Sequence, residues 1–190
     1  MKSFITIILG SLFLVSCGLQ TIPQSNNNVE GAWAEVENQY KRRTDLIPNL
    51  VNTVKGYAAH EKDTLEGVMA ARAKASAVTV DPTNLTPEKL KEFQAAQSGV
   101  SQALGRLMVV SERYPDLKAN QNFQGLQVQL EGTENRIAVA RRRYIEAVQE
   151  FNNLVTVFPT SLTNSLIHHF DKKPQFSVTE EEKKVPEVKF

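Results

Sequence analysis

Asn38-Gln39-Tyr40-Lys41-Arg42-Arg43-Thr44-Asp45-Leu46-Ile47-Pro48-Asn49-Leu50-Val51 is the densest run of this 190-residue chain. It sets a basic triplet, a carboxylate and a proline inside a segment of helical period. Reading outward from it, apolar or aromatic residues fall at Val29, Trp33, Val36, Tyr40, Ile47, Leu50, Val54, Tyr57, Leu65, Val68 and Met69. The steps are mostly three and four, with Arg43 and Glu61 filling the seam where an apolar residue is missing, so the pattern is that of a helix buried along one face. The expectation is a helix from 29 to about 78, ~75 Å long if continuous. Pro48 lacks an N–H and crowds the Thr44 carbonyl, so a kink is expected there. Asp63 with Glu66 has capping-box spacing. It marks the alternative, a break near 58–64. Continuity is favoured because Gly56 is the only poor helix former nearby. Trp33 and Tyr40 read as core.

Downstream, Val78 to Thr86 carries turn residues and no helical period. Thr86-Pro87-Glu88 then supplies a hydroxyl cap, a proline at the first helical position and an acid in the first turn. The next stripe is Leu90, Phe93, Gln97, Val100, Leu104, Leu107, Ser111 and Tyr114, and Pro115-Asp116 is read as ending it and capping the next helix. The third pattern is the most regular: Phe123, Leu126, Leu130, Thr133, Ile137, Ala140, Tyr144, Ala147, Phe151, Leu154 and Phe158, a 3.5-residue period that specifies a coiled-coil-like seam. Pro159 stops it. Residues 161–170 suggest a short further helix with Leu162, Leu166, Ile167 and Phe170 on one side. Residues 171–190 are charged and aperiodic and read as a largely disordered tail. No strand alternation is present. The fold class is all-α, an up-and-down antiparallel bundle of three to four long helices.

The start of the chain reads as an address. Phe4 to Val15 is an apolar run behind Lys2, too short to span a bilayer, and fits a signal-peptide core. It ends in Leu14-Val15-Ser16-Cys17, which resembles the bacterial lipobox. Cys17 is the single cysteine of the chain, so it is assigned to lipidation by diacylglycerol. The alternative is an ordinary secretory signal or an uncleaved anchor. The division is therefore 1–16 signal peptide, 17–28 lipidated cysteine and flexible tether, 29–170 helical bundle, 171–190 tail. Lys+Arg number 22 and Asp+Glu 21; removal of Lys2 leaves a neutral mature chain. No general attraction to nucleic acid is implied.

The 38–51 run resembles the signature of the bacterial LemA family. The likeness continues through Val54-Lys55-Gly56-Tyr57-Ala58-Ala59-His60-Glu61, through Tyr114 to Asn120, through Glu134 to Arg141, and through Tyr144, Asn152, Phe158-Pro159 and Pro186 to Phe190. The resemblance implies an envelope-associated helical bundle attached to a membrane at its N-terminus, with no established enzymatic activity and no catalytic residues to transfer. Many members look anchored by a transmembrane helix, and Cys17 is a departure from that.

The residues themselves predict no enzyme, cofactor or metal site. No Glu-x-x-His occurs, and neither His60-Glu61 nor His168-His169 has same-face helical spacing. The candidate polar or ligand surface is Arg42, Arg43, Asp45, Arg141 and Arg142. On the bland reading Arg43 pairs with a carboxylate such as Glu134 or Asp45 and the rest are solvated. On the sharper reading arginines of two helices hold an anionic ligand or lipid headgroup. Polar seam positions Arg43, Glu61, Gln97, Ser111 and Thr133 either fix register in one bundle or form the face of a homo-oligomer. Residues 185–190 offer an apolar end that could dock on a partner. The functional expectation is a lipid-anchored envelope protein, its bundle facing the periplasm or exterior, that works by binding. The alternative is an accessory or sensor subunit for a membrane protease or signalling protein.

Overall fold

The computed structural model describes residues 19–176. Residues 1–18, with the expected signal peptide and Cys17, and residues 177–190 lie outside the described residues. The chain is all-α. Its helices are α1 (Thr21–Lys55), α2 (Lys62–Ala77), α3 (Pro87–Ser111), α4 (Pro115–Lys118), α5 (Gln121–Thr156) and α6 (Thr160–Thr163). A 3-10 turn covers Pro82–Asn84 and a π-turn covers Asn164–His168.

α1 and α5 form the longest contact. The Trp33 ring meets Tyr144 at 5.3 Å and Arg43 meets Glu134 at 3.1 Å. Both pairs sum to 177, so the two helices run antiparallel in constant register. α2 folds back on α1 and packs against α3. The core falls into two apolar clusters. One holds Ile47, Leu50, Val54, Val68, Leu107, Leu117 and Phe123. The other holds Ile22, Trp33, Phe93, Ile137, Tyr144, Phe151 and Phe176. Between them lies a polar layer centred on Arg43.

Several expectations are corrected. α1 starts at Thr21, not Val29, and residues 21–28 are helix rather than tether. Ile22 and Ser25 are buried and extend the three-four stripe backward; the polar run Gln24 to Asn28 hid that period, although Asn26 and Glu30 are joined side chain to side chain at 2.7 Å. The long first helix is not continuous. It ends at Lys55, and residues 56–61 reverse the chain, with the Ala58 N–H donating to the Val54 carbonyl at 2.8 Å. Tyr57, expected on the seam, is exposed there, its hydroxyl accepting from Asn120 Nδ2 at 2.8 Å. Glu61 opens α2 without a side-chain cap. Its carboxylate instead accepts from the Tyr114 hydroxyl at 3.1 Å and from Arg113 at 3.0 Å, clasping the 56–61 turn to the end of α3.

Thr86 caps α3 as its sequence requires, accepting from the Lys89 N–H at 3.2 Å. The cap of α5 is Asn120, not Asp116; its Oδ1 accepts from the Phe123 N–H at 3.0 Å. α5 stops at Thr156, so Phe158 leaves the seam and is exposed. In the next segment only Phe170 of the expected apolar side packs, against Phe151 at 5.7 Å. Asn164 is buried instead, its amide donating to the Phe170 carbonyl at 3.0 Å and accepting from the Phe170 N–H at 3.0 Å. The segment is held by this polar residue, and Leu162, Leu166 and Ile167 remain exposed. Of the expected tail, residues 171–176 form an ordered strap. Asn152 grips the Lys173 backbone at both N–H (2.8 Å) and carbonyl (2.9 Å), Tyr144 donates to the Pro174 carbonyl at 3.0 Å, and Phe176 is buried against Trp33 and Tyr144.

α1 continues through Pro48. The missing N–H frees the Thr44 carbonyl, and the buried Thr44 finds another donor: Arg72 Nε on α2, at 2.9 Å. Pro48 thereby turns a lost intrahelical bond into an attachment point for α2. Arg72→Met is expected to lower stability by about 1–3 kcal/mol, the cost of leaving that carbonyl unsatisfied, in urea unfolding followed by circular dichroism. A loss indistinguishable from that of an exposed substitution would mean that water replaces the guanidinium.

Candidate functional site

The polar layer draws on three helices. Arg43 of α1 is only 2% exposed. Its Nη1 donates to Ser101 Oγ at 2.9 Å and to Glu134 Oε2 at 3.1 Å. Its Nη2 donates to the Gln97 backbone carbonyl at 3.0 Å and to Gln97 Oε1 at 2.8 Å. The guanidinium also sits 5.0 Å over the Tyr40 ring. Planar, forked donors can bridge α3 and α5 at once, which a single ammonium cannot. Thr133, fully buried one residue before Glu134, closes the layer by donating to the Gln129 carbonyl at 2.7 Å while accepting from Arg136 at 3.0 Å.

Two recesses reach this layer. The larger, about 410 Å³, lies where α1 faces α3 and the end of α2; Glu37, Asn38, Lys41, Thr44 and Asp45 line it with Ser76, Tyr40, Phe93 and Gln97. Gln97 therefore has its side chain in the cleft wall and its amide oxygen on Arg43. Burial raises the Glu37 carboxyl above its usual range. A second groove of about 310 Å³ between α3 and α5 is lined by Arg43, Ser101 and Glu134 with Leu104, Met108 and Leu130.

The residues singled out from the sequence separate. Arg43 is structural in position and pairs with Glu134 rather than with Asp45. Asp45 is exposed and lines the larger cleft. Arg42 and Arg142 are both exposed. Arg141 lies 4.8 Å over the Phe176 ring, holding the strap. In the α1–α5 register Arg142 stands level with Glu35, seven positions (42 − 35) or ~10 Å along the axis from Arg42, so Arg42 and Arg142 are not brought into one patch. Among the described residues no three His, Cys, Asp or Glu side chains are grouped as metal ligands.

Sequence reasoning missed Ser101, Arg72 and the 171–176 strap. Ser101 carries a signal, because it lies one turn beyond Gln97 on the seam side of α3. Arg72 carries a weaker one, the donor demanded by the carbonyl opposite Pro48. Phe176, isolated in a charged segment, carries none that periodicity can register.

Residues 32–190 match the model of the LemA family. Protein LemA of Metamycoplasma hominis is 26% identical over 159 residues, covering 83% of this chain and 69% of that protein. Magnetosome protein MamQ 2 of Paramagnetospirillum magneticum is 26% identical over 156 residues, covering 73% of this chain and 57% of that protein. Magnetosome protein MamQ of Magnetospirillum gryphiswaldense is 24% identical, covering 70% of this chain and 57% of that protein. The chain thus spans little more than half the length of the MamQ proteins it matches.

Proposed function

The chain belongs to the LemA family, and from that premise we propose that it is a membrane-attached protein of the bacterial envelope that acts by binding a partner protein, without chemistry of its own. The attachment is at Cys17, and the bundle faces away from the cytoplasm. The observation that supports binding is the 410 Å³ cleft. Three of the signature residues that the core does not consume, Asn38, Lys41 and Asp45, open onto it together. Two aromatic walls, Tyr40 and Phe93, give it apolar area, and Glu37, Lys41 and Asp45 give it charges of both signs. That mixture suits a polypeptide segment better than an anion. Gln97 links the cleft to Arg43, so an occupant would sense the integrity of the three-helix layer.

The test places a photo-crosslinking residue at Lys41 or Asp45 of the full chain in growing cells, with exposed Val128 on α5 as the control. A discrete adduct from the cleft positions, lost when Cys17→Ser releases the chain from the membrane, is expected. Adducts equal at Val128, or none at either cleft position, would overturn the reading. If the adduct is a membrane protease or a signalling protein, the chain is its accessory or sensor subunit.

A further inference from the structure

The end of the bundle where α1 begins is also where α5 ends, because Thr21 and Thr156 sum to the same 177 as the buried pairs. That end carries exposed apolar side chains. Phe158 is 74% exposed and Leu166 66%, and Val157, Leu162 and Ile167 stand out beside them, with Leu19 where the described chain begins. From Val157 to Phe170 there is no Asp, Glu, Lys or Arg; the polar residues are hydroxyls, one asparagine and two histidines. The segment is not loose. Asn164 ties it to the Val155 and Phe170 backbones, and Phe170 packs on Phe151 at 5.7 Å. The strap at 171–176 then turns along α5 toward Tyr144 and away from the patch, leaving it uncovered by the described chain.

We infer that this apolar cap rests in the interfacial layer of the membrane and seats the bundle upright on it. The inference rests on the membrane attachment proposed above. The occupant is identified by what the chain runs into at this end: the apolar run Phe4 to Val15 and Cys17 directly precede Leu19. Cys17 and Thr21 are four positions apart, a reach of at most ~13 Å when extended. An anchor at Cys17 therefore holds the cap at headgroup depth. Exposed Phe and Leu among hydroxyl side chains, with no formal charge to desolvate, suit that depth. A charged rim would suit a protein partner better. Two attachments, acyl chains and an inserted cap, also meet the requirement that stable anchoring draws on more than one weak contact.

The test uses the full chain reconstituted in phosphatidylcholine–phosphatidylglycerol vesicles with brominated acyl chains. Tryptophan is added singly as Phe158→Trp, as Leu166→Trp, or as Val109→Trp, the last 69% exposed at the opposite end of the bundle. Buried Trp33 provides a constant background. Flotation of the vesicles reads the anchor separately. The expected result is flotation of all three, with about a two-fold loss of the added emission at 158 and 166 and none at 109. Flotation without quenching at 158 and 166 overturns the cap alone, and failure to float overturns the anchor and the cap together. Quenching equal at all three sites overturns an upright seat. Self-association in detergent abolished by Leu166→Asp, with no bromine quenching, would assign the patch to a second copy and overturn the inference.

Discussion

Arg43→Met lowers the stability of the bundle by about 3–5 kcal/mol, more than any change among the other candidate surface residues. The expectation rests on the groups the side chain leaves behind. Its guanidinium supplies donors to Ser101 Oγ, to both oxygens of Gln97 and to Glu134. Methionine fills much of the volume but donates nothing. Gln97 Oε1 is then buried with no partner, and each such loss costs about 1–3 kcal/mol. Glu134 behaves differently because its side chain is 57% exposed; water reaches the carboxylate once its partner is gone. Glu134→Gln is accordingly expected to cost about 1 kcal/mol or less, since Arg43 keeps Gln97 and Ser101. The asymmetry is the test. Arg43→Lys should recover little, because one ammonium cannot span Gln97 and Glu134 together, whereas Gln97→Leu added to Arg43→Met should restore part of the loss by removing the stranded oxygen. Urea unfolding by circular dichroism reads all four variants. Equal costs for Arg43→Met and Glu134→Gln would mean that the ion pair, not the buried hydrogen bonds, holds the layer.

The same residue shows how far the sequence could be read. Its place on a three-four stripe predicts burial, and a charge there calls for partners on the facing helices. The polar seam positions Gln97, Ser111 and Thr133 are likewise buried. Helical period records which face of a helix is inward, so it found α3, α5 and most of α1. It does not record where a chain reverses when both halves keep the period, and so period alone favours a continuous helix over the break near 58–64, where the chain turns at 56–61. That turn is held by Tyr57, Glu61, Arg113, Tyr114 and Asn120, residues far apart in sequence that meet only after folding. The early start of α1 is a similar case. Ile22 packs at the end of the bundle and carries helix through a polar run whose propensity alone argued for a tether. The candidate site divides for the same reason. Neighbours in sequence such as Arg42, Arg43 and Asp45 fan around a helix, so one goes to the core, one to solvent and one to a cleft.

Trp33→Ala should cost about 3–5 kcal/mol, and its effect should spread further than its own cavity. The indole is fully buried and meets three other parts of the fold. It belongs to α1 and touches Phe93 of α3 at 5.3 Å, Tyr144 of α5 at 5.3 Å and Phe176 of the strap at 6.0 Å. Phe93 in turn meets Tyr40 edge-on at 5.1 Å, one turn from the Arg43 layer. Removing the indole takes away one of the two rings that flank Phe176, leaving Tyr144 and the Arg141 guanidinium. The strap should therefore open before the bundle melts, and amide exchange at Lys173, protected by Asn152 Oδ1, should accelerate well beyond that at Phe123 in the other apolar cluster. Trp33→Phe should cost less than Trp33→Ala and leave Lys173 protected, because a smaller ring still walls Phe176. The loss of stability is read by circular dichroism, since the chain has a single tryptophan and its emission goes with the substitution. Phe158→Ala provides the scale. That ring is larger than most core side chains but lies in the open, and its removal should change stability by no more than about 0.5 kcal/mol. If Trp33→Ala were as mild as Phe158→Ala, the aromatic cluster would not be what joins the strap and the three helices.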